Sequence, residues 1–168
     1  MNIQTQSIPA ESKIQAFASD ADFADCYVAP NPWPELSALQ LFMKTVGNTP
    51  GWVNLLMRLR NRIVALLGLK NLGVLNEFKP THAYQIGERV GIFTLLYNSE
   101  SEVILGDLDK HLEVRLSVLK TQNSHGSSQL SISTAVHEHN ALGKIYMLFV
   151  GPIHKIIVPA VLRRGLKT

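Results

Sequence analysis

From residue 90 onward the chain alternates short apolar runs with polar turns. VGIFTLLY at 90–97, EVILG at 102–106, HLEVRLSVLK at 111–120 and QLSISTAVHEH at 129–139 are separated by NSES, DLDK and QNSHGSS. Runs of this length bounded by turn residues predict an antiparallel meander. In the last run Leu130, Ile132, Thr134 and Val136 share one side, and Ser131, Ser133, His137 and His139 the other. That alternation predicts a sheet with one dry face and one at least partly wet.

Helical spacing flanks the meander. Leu36 to Val46 reads as a first helix stopped near Gly47. Thr49 as N-cap and Pro50 as first helical residue open a second, which Gly68 closes; strand signals begin from Gly73. In the second helix Trp52, Leu55, Leu56, Leu59, Ile63, Leu66 and Leu67 recur at spacings of three and four, which predicts its apolar face. Val53, Met57, Arg60 and Val64 form a second stripe that Arg60 interrupts. If the stripe is buried, the guanidinium needs acceptors; if it lies at an edge, the head reaches water along its apolar stem.

After Asn140 the segment ALGKIYMLFVGPIHKIIVPAVLRRGLK reads as a long C-terminal helix, apolar nearly all round. Pro152 and Pro159 each remove a hydrogen bond and favour a bend, and Arg163 and Arg164 suit its negative end. Gly151 and Pro152 split its apolar runs, and His154 and Lys155 lie within the second. A spanning helix needs about 20 mostly apolar positions. The expectation is therefore a buried helix laid on the sheet, with an interfacial anchor as the alternative and no membrane partner.

Residues 1–35 are acidic and turn-rich, and Pro30, Pro32 and Pro34 keep their backbone extended. Residues 1–20 read as a loosely ordered or wrapping arm. At 168 residues and 46% hydrophobic content, residues 1–168 are expected to form a single domain with a real core.

Charge adds one point. The net +3 is too small for a nucleic-acid footprint, and no recognition module is present. Its distribution is uneven: no acid lies between Leu36 and Asn76, or after Glu138, while basic residues occur in both stretches. Two basic helical segments could face an acidic partner, a phosphate or a membrane surface, or be solvated faces. Cys26 is the sole cysteine, so no intrachain disulfide can form, and it reads as a small hydrophobe. MNIQTQSIPAESK lacks a secretory pattern, and a cytoplasmic location is expected.

Candidate chemistry concentrates in DLDKHLEVR. Side chains at alternate strand positions share a face about 7 Å apart, so His111, Glu113 and Arg115 should form a row. The row is either a site, with a base beside a fixed charge pair, or a charge ladder on the outer face with Asp107 and Asp109 as turn formers. His137 and His139 would join it if the strands pair as a meander. Arg60 with Asn61 would meet Glu113 or Asp109 across helix and sheet. Asn140 is a fitting N-cap. His154, Tyr146 and Met147 read as core residues or as cavity contacts. No HExxH, GxSxG, phosphate-loop, GxGxxG or CxxC pattern occurs, so neither a metal nor a cofactor is expected.

TPGWVNLLMRLRN, then EVILGDLDKHLEVRLSV, then HEHNALGKIYMLFVGPIHKIIVPAVLRR, in this order, resemble the bacterial domain-of-unknown-function family DUF2867, from about residue 20 to 166. That family has no assigned activity. It looks related to the START-like, or helix-grip (SRPBCC), superfamily. The resemblance implies an α+β fold with N-terminal helices, in which a curved antiparallel sheet grips a long kinked C-terminal helix over an apolar cavity. Members of that superfamily bind lipids, sterols, polyketides and hormones, and some catalyse cyclisation in the cavity. The implied function is binding of a small apolar or amphipathic molecule, with Arg60, His111, Glu113, Arg115, Tyr146 and His154 as ligand contacts. An enzyme of cyclase or hydratase type is the rival reading, with His111 or His137 as base and Glu113 orienting it. Fusions of similar domains behind NAD(P)-binding dehydrogenase-like domains imply a third, an accessory module for such an oxidoreductase.

Overall fold

The computed structural model describes residues 2–66, 78–79 and 84–167. Its elements run β1 (Gln4–Thr5), α1 (Gln15–Ala18), β2 (Phe23–Pro30), α2 (Ala38–Gly47), α3 (Gly51–Leu66), β3 (Arg89–Val90), β4 (Phe93–Asn98), β5 (Glu102–Leu108), β6 (Leu112–Gln122), β7 (Ser128–Glu138) and α4 (Ala141–Gly165). The strands form one sheet in the order β1-β2-β7-β6-β5-β4-β3, every pair antiparallel. The fold is therefore α+β, with a seven-stranded antiparallel sheet and a C-terminal helix. The meander accounts for β3 to β7, and the first long strand closes onto the last.

Period two divides the sheet into two faces. On the inner face Leu95, Leu105, Val118 and Leu130 pack against Leu39, Leu41 and Phe42 of α2 and Leu162 of α4. Helix α2 starts with a reciprocal cap: Ser37 Oγ accepts from Gln40 N at 3.3 Å and Gln40 Oε1 accepts from Ser37 N at 2.9 Å.

The outer face is drier than the alternation predicts. Ser131 and Ser133 are each 1% exposed because residues 8–21 cross this face. Ile14 packs there on Ile104 and Ala135, with Phe17 beside them. Glu102 fastens the arm. Its buried carboxylate accepts from Ser12 Oγ at 2.6 Å, Ser117 Oγ at 2.7 Å and Lys13 N at 3.1 Å. Small hydroxyl residues on an outer face therefore signal a close covering segment here, not solvent.

The helices also differ from expectation. Thr49 Oγ1 donates back to Val46 O at 2.6 Å, so this hydroxyl closes α2 and does not cap α3. On α3 the described part of the larger stripe faces mainly out: Trp52, Leu55 and Leu59 are exposed and Leu56 is half-buried, whereas Val53 is 1% exposed on the lesser stripe. Apolar content alone therefore picks the wrong face. The Gly68 stop, Leu67 and the change at Gly73 lie outside the described residues, as do the side chains of Ile63, Val64 and Leu66. Helix α4 runs unbroken with Pro152 and Pro159 inside it. It is half-sunk and not buried. Met147, Gly151, Val161 and Leu162 face inward, while Ile145, Leu148, Phe149 and Ile156 are exposed.

Candidate functional site

Two glycines set where α4 lies. A Cβ on Gly143 would stand 2.4 Å from His111 O, and one on Gly165 would stand 2.5 Å from Thr45 Cα. The helix is thus in backbone contact with the β5–β6 turn at one end and with α2 at the other. Asn140 starts it, its Oδ1 accepting from Gly143 N at 3.1 Å. Between these fixed ends a cavity of about 260 Å³ remains, bounded by α4, by Val53, Met57 and Arg60 of α3, and by Leu112, Val114, Leu116, Ile132, Thr134 and Val136 of the inner face.

Apart from Thr45, whose hydroxyl donates to backbone oxygens of its own helix, the lining is apolar except at two places. At the α3 end, Arg60 Nε donates to Tyr146 Oη at 3.0 Å and Arg60 Nη1 to Asn61 Oδ1 at 2.9 Å. Asp107 and Asp109 line the same end. Asp109 is the turn former, its Oδ1 accepting from His111 N at 2.6 Å and Leu112 N at 3.0 Å. Asp107 is not: it belongs to β5 and meets Arg89 at 3.4 Å.

The second polar place is under the middle of α4. His154 Nδ1 lies 3.0 Å from Asp25 Oδ2, and the imidazole stands edge-on to Phe23 at 5.8 Å between ring centres. Asp25 pairs in register with Thr134 across β2 and β7, which puts both side chains on the inner face. Asp25 Oδ1 and Thr134 Oγ1 are buried and have no hydrogen-bond partner. Tyr27, two residues along β2, feels the same carboxylate. Burial first, then the charge of Asp25, raise the Tyr27 hydroxyl above its ordinary pKa.

The predicted row divides. Glu113 and Arg115 do form an ion pair at 2.8 Å, and Glu113 is the cross-strand partner of His137. They are on the outer face, however, because the even-numbered residues of β6 line the cavity. The arm covers them: the Arg115 guanidinium carbon lies 4.1 Å from the Phe17 ring centre, and Phe17 O lies 2.9 Å from His137 Nε2. The site role given to Glu113 and Arg115 as cavity contacts is therefore corrected by period two itself. His111 leaves the row altogether. It precedes β6 in the turn, where Nδ1 lies 3.1 Å from Asn140 Oδ1 and Nε2 is buried without a partner. His139 is exposed. Among the described residues no three His, Cys, Asp or Glu side chains converge as a metal site.

Arg60, Tyr146 and His154 thus do line the cavity. Asp25 and Thr134 were missed. The available signal was an acid at Asp25 in the otherwise uncharged inner row Phe23, Tyr27, Ala29, which reading residues 1–35 as an acidic, turn-rich stretch concealed.

No curated protein and no solved structure matches this chain. A family model described as "Protein of unknown function (DUF2867)" matches residues 17–161, and on that match the chain belongs to the DUF2867 family.

Proposed function

We propose that the cavity takes up a compact apolar or amphipathic molecule, with its apolar body between the sheet and α4 and a polar group at Thr134 and His154. The observation that carries this reading is Thr134 Oγ1. It is a hydroxyl on a residue 5% exposed, without a partner, on the wall of an apolar hollow. Leaving such a group unpaired costs about 1–3 kcal/mol, and a ligand hydroxyl or carbonyl would supply the missing bond. The volume lies just below the roughly 300–1,000 Å³ of small-molecule sites, which favours a compact guest. A seven-stranded antiparallel sheet with a C-terminal helix across one face and a hollow between them also supports the START-like, helix-grip reading of the fold.

The cyclase or hydratase reading has one specific observation in its favour. A histidine oriented by a buried carboxylate is the arrangement of a general base, and His154 with Asp25 has it. His111 and His137, outside the cavity lining, do not. In this second reading His154 takes a proton from the guest and Asp25 fixes the ring.

Native mass spectrometry of protein purified from its own host is expected to show a retained small molecule. Thermal melting against a panel of polyketides, sterols and fatty acids is expected to show a rise for at least one class, lost in Leu116→Trp, which fills the cavity from the sheet. No retained mass and no rise with any class would overturn the binding reading.

A further inference from the structure

Both helices that line the cavity turn a second, apolar face away from it. On α3 this face comprises Trp52, Leu55 and Leu59; on α4 it is centred on Leu148 (71% exposed), Phe149 (67%) and Ile156 (65%). Such large side chains in contiguous stripes are not the scattered exposure of an ordinary surface. Their charge is as one-sided as their polarity. On their exposed sides α3 carries Arg58 and Arg62 and α4 carries Lys144, Lys155 and Arg163, and neither helix has an acid. Lys144 and Lys155 are eleven residues apart, three helical turns, and so share one edge of the α4 stripe. Arg58 and Arg62 flank the α3 stripe in the same way.

We infer that this face docks on an anionic membrane surface, with the apolar stripes entering the acyl boundary and the Lys and Arg side chains meeting lipid phosphate or carboxylate groups. Greasy stripes on helices whose charged residues are all cations fit that interface from both sides. A second copy of the chain fits poorly, because it would bring cation onto cation without an acid on either helix. Helix α4 is long and apolar enough to cross a bilayer by length and composition. It stays with the domain, because Gly143 packs on the β5–β6 turn, Gly165 on α2, and His154 bonds Asp25 of β2. The docking stands independently of what the cavity holds.

The test is co-sedimentation of the whole protein with vesicles of phosphatidylcholine alone or with about a third phosphatidylserine, at low and high salt. Partition is expected into the anionic vesicles, weakening with salt as the charges are screened. Leu148→Ser with Phe149→Ser, and separately Lys144→Glu with Lys155→Glu, are each expected to weaken it by about tenfold or more. All four side chains are exposed, so unchanged melting separates lost docking from lost folding. In a Trp33→Phe background, Trp52 emission is expected to shift to the blue on adding anionic vesicles. Absence of partition in both mixtures would overturn the inference. So would sedimentation equilibrium showing a stable dimer that Leu148→Ser with Phe149→Ser dissociates, which would assign the face to a second copy.

Discussion

His154 and Asp25 meet at 3.0 Å although 129 residues separate them. One belongs to the last helix and the other to the first long strand, so the contact exists only once α4 lies across the sheet. It is the point where the cavity, the helix and a buried carboxylate come together. A double-mutant cycle with His154→Leu and Asp25→Leu is expected to give a coupling of about 1 kcal/mol. That is modest for an imidazole–carboxylate contact because the histidine is partly solvated. Additive single effects in urea unfolding would dissolve the pair.

Thr134 separates stability from binding. Replacing the unpartnered hydroxyl with a methyl, Thr134→Val, is expected to raise the stability of the ligand-free protein by about 1 kcal/mol. The same change is expected to reduce the thermal shift produced by any ligand that the wild type takes up. A variant that loses stability would mean that the hydroxyl already has a partner.

Tyr27 predicts behaviour in alkali. Its pKa is raised in the folded protein, so the folded state holds the phenolic proton more tightly than the unfolded chain. The stability from this difference is fully present below about pH 10 and is lost as pH rises through the folded value. Urea midpoints measured from pH 8 to 11 are expected to fall less steeply in Tyr27→Phe than in the wild type.

Glu102 should hold the arm. Glu102→Ala strips Ser12, Lys13 and Ser117 of a common acceptor, and is expected to cost about 3 kcal/mol. Hydrogen exchange is expected to show amides of residues 4–18 losing protection before those of β6. Uniform loss across the sheet would argue that arm and sheet unfold as one unit.

Gly165 sets competing effects against each other. Alanine in a helix gains up to about 1 kcal/mol over glycine, but a Cβ here would stand 2.5 Å from a backbone atom that has no room to retreat. Gly165→Ala is therefore expected to lower stability by about 1–2 kcal/mol. Gly51→Ala, with nothing within 4 Å, is expected to be neutral or stabilising.

The sequence by itself determined the elements that depend on neighbours along the chain. The meander, the Asn140 cap, the Asp109 turn and the extent of α4 all follow from local propensity and hydrogen bonding, which act over a few residues. Period two also separated Glu113 from Leu112 and Val114, although it could not say which side holds the cavity. Only the tertiary structure decided which faces are covered. Trp52, Leu55 and Leu59 look like a core stripe because apolar burial is non-directional: a pattern shows that a face is greasy, not what packs on it. Ser131 and Ser133 look solvated until the arm crosses them. The Asp25–His154–Thr134 cluster was illegible for the same reason, since its members are brought together by strand closure and helix docking, contacts that no spacing along the chain records.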